Sequence, residues 1–239
     1  MNHWLTAPIL IPLIGGILQA FMGYAPIALR RTLAIATTVL MLVAAIVLLV
    51  LADDGSYRLY AFGNWQPPFG IVLVLDRLAA LMLVMTAVLA LFCHIYAIGG
   101  TDESSRQFHG LFLFQLLGLN IAFLTGDLFN LFVAFEVLLI ASYGLLMHGE
   151  GTSRTVPGLH YVVLNLAGSA VFLIAVGMIY SVTGTLNMAD LAIKIPQVAE
   201  ENLPLVKAGG MMLLVVFGLK AAILPLCFWL TGAYSNPTA

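Results

Sequence analysis

Charged residues are the scarcest component of this chain: Asp, Glu, Lys and Arg make up 8% of its 239 residues, against about 25% in an ordinary soluble domain. With 62% of the residues hydrophobic, the chain belongs in a membrane. Neither sign of charge dominates, since nine Lys and Arg stand against eleven Asp and Glu for a formal charge of −2. That balance excludes a polybasic lipid-binding arm and a nucleic-acid surface. Cysteine is nearly absent. Cys93 and Cys227 lie far apart in apolar surroundings and match no metal or redox spacing, so both read as small core residues without a disulfide framework. There is also no phosphate-binding loop, dinucleotide fingerprint, metal-spaced His/Cys cluster or nucleophile elbow. An enzyme in its own right is not expected, nor a cofactor or a bound metal.

What is present is apolar length. A span needs roughly 20 apolar residues, so a chain of this length holds at most about eight helices, and seven are found. Stretches such as Leu33 to Ala52 are apolar on every side, which excludes the alternating pattern of a β-barrel. The expected fold is all-α, a polytopic transmembrane helix bundle of about seven spans forming one integral membrane domain over residues 1–239. The first span runs from about Trp4 to Tyr24; with no basic n-region or cleavage site, it is not a removed signal peptide. The second follows Arg30 and Arg31 and ends near Leu51; the polar segment from Asp53 to Gly70 reads as a turn-rich connector. The third runs from about Ile71 to Ile98, with Asp76 and Arg77 as an interfacial pair in its first turns. Thr125 and Gly126 separate the fourth span (about Phe108 to Leu124) from the fifth (about Asp127 to Met147), a joint that forces an antiparallel hairpin. The sixth spans about Val156 to Val182. Asn187 then caps a short interfacial helix stopped by Pro196. The seventh starts near Leu205 and is interrupted near Pro225. Arg30, Arg31, Arg106 and Arg154 fall on one side of this arrangement, and Arg58, Arg77, Lys194 and Lys207 on or near the other. The Arg30-Arg31 pair beside the first span tips the balance toward an outside N-terminus.

In so apolar a chain, an ionisable group at membrane depth is a functional hypothesis by default. Glu136 lies roughly 13 Å into the fifth span and Lys220 roughly 22 Å into the seventh, at 1.5 Å per residue. If they face each other at about 8 Å, their attraction is about 2 kcal/mol at an effective dielectric of about 20. That is the physics of a proton relay, with Pro225 freeing backbone carbonyls close to the lysine. The plainer alternative is an ion pair that only locks two helices. Asp127 opens the fifth span, where a carboxylate suits a helix N-terminus. His148 and His160 flank the following loop and could pass protons to a channel mouth. Asn165 and Ser169, one turn apart with Gly168 between them, suit close packing bridged by hydrogen bonds or the lining of a water path. His94, Asn120, Ser142 and Tyr143 are too isolated in sequence to assign.

Three strings carry a resemblance to a known family: Leu124-Thr-Gly-Asp-Leu-Phe-Asn-Leu-Phe-Val-Ala-Phe-Glu136-Val-Leu-Leu-Ile-Ala-Ser-Tyr-Gly144, Tyr180-Ser-Val-Thr-Gly-Thr-Leu-Asn-Met-Ala-Asp-Leu191, and Gly218-Leu-Lys220-Ala-Ala-Ile-Leu-Pro-Leu-Cys-Phe-Trp-Leu230. With Phe69-Gly-Ile-Val-Leu-Val-Leu-Asp-Arg77 they resemble the D-type subunit of the Mrp or Pha class of multisubunit cation/proton antiporter, which is related to the antiporter-like subunits of respiratory complex I. The resemblance implies a bacterial inner-membrane subunit with its N-terminus outside. It would exchange Na⁺ or K⁺ for protons with partner subunits of the A, B, C, E, F and G types, in contact with membrane lipid. It also implies that Glu136 and Lys220 are the proton-transfer pair. By the same likeness, residues 1–106 hold spans 1–3 and residues 107–239 an incomplete first antiporter repeat, spans 4–7 with the eighth missing. The chain departs from the family pattern at Cys227 and at Trp229-Leu-Thr231, where the family has His or Tyr and then Trp-Leu-Pro. On this basis the chain reads as an N-terminal fragment or a truncated product that is inactive alone. Two rivals are a subunit of a complex I-type oxidoreductase or hydrogenase, and a non-transporting structural membrane subunit.

Overall fold

The computed structural model describes residues 3–65, 67–147 and 155–234. Among them the chain forms α1 (Ala7–Phe21), α2 (Ile27–Ala52), α3 (Arg77–Ala97), α4 (Phe108–Leu124), α5 (Leu128–Leu146), α6 (Thr155–Thr183), α7 (Met188–Lys194), α8 (Leu203–Lys220) and α9 (Phe228–Tyr234). Six helical segments, those of α1, α2, α3, α5, α6 and α8, are long and apolar enough to cross a membrane, and α4 is a shorter apolar helix between them. The chain is therefore a multi-pass helical membrane protein with the expected seven transverse elements. The last is interrupted as predicted: α8 stops at Lys220, and α9 resumes at Phe228 beyond Pro225.

The ends of these helices follow from local chemistry. Asp76 caps α3 by accepting from the Ala79 amide at 2.7 Å, and Asp127 caps α5 by accepting from the Asn130 amide at 2.9 Å. Asn187 caps α7 by accepting from the amides of Ala189 and Asp190, both at 3.1 Å. Each satisfies amides that have no partner within their own helix. The α4–α5 joint is pinned from both sides. The Gly126 amide donates to the Val72 carbonyl at 2.9 Å, and the Gly126 carbonyl accepts from the Met188 amide at 2.9 Å. Gly118 lets the two helices close up, since a Cβ there would lie 2.7 Å from the Leu138 nitrogen.

Inside α1, Pro12 has no amide hydrogen to give to the carbonyl of Pro8, four residues earlier. Asn120 of α4 replaces that donor across the helix interface, at 2.7 Å. The first core then continues through Leu48, Leu73, Leu75, Leu83, Leu117 and Leu124. A second is built from Phe172, Val176, Ile179, Leu191, Leu213 and Val216, with Phe132 and Phe135 of α5 packed against it. The outward faces, with residues such as Leu40, Val50, Leu89, Phe92 and Ile174, are exposed and apolar, as suits contact with lipid.

Three expectations are corrected. The segment before α3 is not its first turn: Val72–Leu75 is β2, paired antiparallel to β1 (Arg58–Ala61) in the register Arg58↔Leu75 and Tyr60↔Leu73. The apolar run Ile71–Leu75 imitates a helix start in hydropathy, but its branched side chains suit a strand, and the cap at Asp76 marks where the helix begins. Asp76 and Arg77 do not act as a pair either, because Asp76 is the cap and Arg77 donates to the Asp53 carbonyl. Cys93 is exposed on α3 and Cys227 half-buried in the interruption, both free thiols. Neither is a core residue, since hydropathy alone does not distinguish a lipid-facing from an inward position.

Candidate functional site

Glu136 is the ninth residue of α5, Ser169 the fifteenth of α6 and Lys220 the last of α8. These positions bring one acid, one hydroxyl and one base together where α5, α6 and α8 meet. Ser169, 6% exposed, donates its hydroxyl hydrogen to Glu136 Oε1. Its Oγ in turn accepts from Lys220 Nζ at 3.3 Å. The acid and base thus meet through a hydroxyl between them, and the direct distance is too long for an ion pair among the described residues.

The local sequence explains why the three converge. Gly168 precedes the serine, and a Cβ there would fall 2.7 Å from a Leu219 methyl. The missing side chain leaves room for Leu219 where α8 packs on α6, next to Lys220. Ending α8 at the lysine places its ammonium at the negative end of the helix dipole. Lys220 Nζ also lies 5.9 Å from the centroid of the Phe135 ring, a favourable cation–π placement. Beyond the interruption, Trp229 turns back and its indole donates to the Leu219 carbonyl at 2.8 Å. The ring also packs 5.3 Å from that of Tyr161.

A second group of hydroxyls lies toward the end of α5. Ser142 and Tyr161 share a hydrogen bond of 2.8 Å, and the buried Tyr143 hydroxyl has no partner among the described residues. The Ser142–Tyr161 pair borders a cavity of about 180 Å³ that also contacts Gln115 and Tyr234. Tyr161 did not stand out in the sequence, because one tyrosine in a span is an ordinary residue until its partner is known.

The remaining candidates are dispersed. Asn165 is buried one turn from Ser169, but its amide donates to the Tyr161 carbonyl of its own helix at 2.9 Å. Asp127 is at the far end of α5, occupied as a cap. His160 is exposed on α6 beside a cleft formed with Phe228 and Trp229, and the structure does not bring it to Glu136. His148 lies outside the described residues. Pro225 lies in the interruption between α8 and α9. Among the described residues no three His, Cys, Asp or Glu side chains converge as they would around a metal ion.

Residues 125–239 match the family model for the transmembrane region of NADH:quinone oxidoreductase and Mrp antiporter subunits. Along its whole length the chain is 46% identical to the D subunit of a probable K⁺/H⁺ antiporter of Rhizobium meliloti, of which it covers 45%. It is 41% identical over its whole length to the D subunit of the Na⁺/H⁺ antiporter of Bacillus subtilis, covering 48% of that protein. Among solved structures, a chain of the Mrp complex from Dietzia sp. superposes with a TM-score of 0.86 at 32% identity, over 99% of this chain and 44% of that one. The chain thus spans about half the length of the relatives it matches. In its matched region the chain is thus similar to the transmembrane subunits of NADH:quinone oxidoreductases and Mrp antiporters, and over its whole length this multi-pass membrane protein is similar to about half the length of the D-type subunits of cation/proton antiporters.

Proposed function

We propose that the protein is a proton-translocating subunit of a multisubunit monovalent cation/proton antiporter in a bacterial inner membrane, with Glu136, Ser169 and Lys220 as its relay. The observation that carries this reading is the Ser169 hydroxyl, which donates to the acid and accepts from the base where α5, α6 and α8 meet. In one step the Ser169 O–H bond breaks as its hydrogen passes to Glu136 Oε1, while Ser169 Oγ takes a hydrogen from Lys220 Nζ. The result is a neutral acid, a neutral amine and an intact hydroxyl. Two opposite charges vanish together, which lowers the desolvation cost of holding them inside a membrane. The step reverses when either end is recharged from water, so the trio can hold a proton in two places without leaving a lone buried charge.

The exchanged cation is Na⁺ or K⁺, one relative being named for each. The working unit would include subunits of the A, B, C, E, F and G types and surrounding lipid, with the N-terminus of this chain outside. Exchange is proposed for an assembly spanning the relatives' full length and is not expected from these 239 residues alone.

The test is cation-driven proton movement in everted vesicles carrying the full-length, assembled protein. Glu136→Gln, which keeps size and hydrogen bonding but cannot take the proton, should lower exchange on the order of 100-fold, the usual scale for loss of an acid–base group. Undiminished exchange would leave the trio as a structural clamp. A second reading follows from the family itself, which includes NADH:quinone oxidoreductase subunits. Co-purification with hydrogenase or quinone-reducing subunits would move the same relay to a redox-driven pump.

A further inference from the structure

Away from the relay, α2, α3 and α4 meet the Thr101–Ser104 turn around a buried polar cluster. Asp102 is 0% exposed and accepts from Arg31 Nε and Nη2, both at 2.7 Å. His109 Nε2 lies 3.1 Å from Oδ2 of the same carboxylate. His94 Nδ1 lies 2.8 Å from the Thr38 hydroxyl oxygen. The two imidazoles are 1% and 2% exposed, with ring centroids 5.5 Å apart. Beside them Arg30, 7% exposed, donates from Nη1 to the Arg106 carbonyl at 2.8 Å.

Hydrogen-bond accounting assigns the protons. The Thr38 hydroxyl donates to the Ala34 carbonyl at 2.9 Å, so its oxygen accepts from His94, which carries its hydrogen on Nδ1. Asp102 only accepts, so His109 carries its hydrogen on Nε2. His94 Nε2 and His109 Nδ1 are then bare lone pairs, and both are buried without a partner among the described residues. A third buried atom in the cluster lacks one too, the Arg30 Nε–H donor. Two acceptors and one donor are the complement of one water molecule, and buried waters typically make about three hydrogen bonds.

We propose that this cluster is a water-binding site: one water accepts from Arg30 Nε, donates to His94 Nε2 and His109 Nδ1, and joins the imidazoles into one proton-sharing unit. A proton arriving at His109 Nδ1 passes by breaking that N–H bond, forming a bond to the water oxygen and releasing a water hydrogen to His94 Nε2. The charges facing the unit are Arg30 and Arg31 from α2 and Asp102 and Glu103 from the turn, while Gln19 of α1 is neutral and bonds the Arg30 carbonyl at 2.7 Å. Arg106 turns its guanidinium away, over the Tyr24 ring at 4.9 Å. Two cations and two anions leave no net charge facing the unit.

The test is a structure of the full-length, assembled protein at a resolution that shows ordered water, with ¹⁵N spectra of labelled histidine over a pH series. One density peak is expected within about 2.7–3.2 Å of all three atoms, with the two histidines titrating as a coupled pair. His94→Phe should abolish the peak and leave His109 titrating alone, whereas His94→Gln, which keeps an acceptor, should retain it. Should His94→Phe fail to fold, the wild-type map and His94→Gln decide. An empty site, Arg30 Nε bonded directly to a ring, or two independent titrations would overturn the proposal.

Discussion

The Ser169 hydroxyl has one hydrogen to give and gives it to Glu136 while accepting from Lys220. Ser169→Ala should therefore lower exchange on the order of tenfold or more, within the range of lost acid–base assistance, with helix content unchanged. Ser169→Thr keeps the hydroxyl and should restore most of the rate; equal rates in the serine and alanine forms would show that the acid and base do not act through it. At Asp102, burial alone would raise the carboxyl, but the Arg31 hydrogen bonds and charge, with His109, hold it below its ordinary 3.8. A carboxylate lowered on folding contributes stability that is complete above its unfolded value and is lost as pH falls through the folded one. Thermal melts of wild type and Asp102→Asn should then differ by a constant gap from neutral pH down to about 4 and converge below it. Glu136 and Lys220 were legible in the sequence because so few charges stand near them. The Asp102 cluster was not: Arg31, His94, Asp102 and His109 are scattered over a helix start, a helix end and a connector, where charges ordinarily read as solvated.

Among the elements, hydropathy located the crossing helices well because a membrane leaves the backbone little choice but a helix. It failed where the chain leaves that environment. The strand Val72–Leu75 is as apolar as a span, and only pairing with Arg58–Ala61, at the other side of a connector, makes it a strand. Asn120 shows a further limit. Its role depends on a proline on another helix, a relation that no local pattern carries. Asn120→Leu should strand the Pro8 carbonyl and destabilise the α1–α4 contact by about 1–3 kcal/mol, the cost of an unsatisfied buried group. Asp127→Ala should remove the α5 cap at about 1 kcal/mol without abolishing exchange. Both are read by thermal unfolding of the detergent-solubilised assembly beside its exchange rate.

For the molecule as a whole, the polar connectors sort into two opposite sets. The hairpin β1–β2, the Thr125–Asp127 joint and α7 share one end; Arg30, Arg31 and the Asp102 turn share the other. If the arginine-bearing end faces the cytoplasm, a thiol placed by Glu200→Cys in a cysteine-free background should label with an impermeant maleimide in intact cells. One placed by Ser105→Cys should label only after permeabilisation; the reverse pattern would invert the topology. The Trp229 bond to Leu219 carries a mechanical consequence at this scale. It latches the two halves of the interrupted helix across the gap, immediately beside the lysine, while the same ring leans on Tyr161 of α6. Any shift of Lys220 along the axis of α8 must therefore either break the indole bond or carry α9 and its contact with α6 along with it.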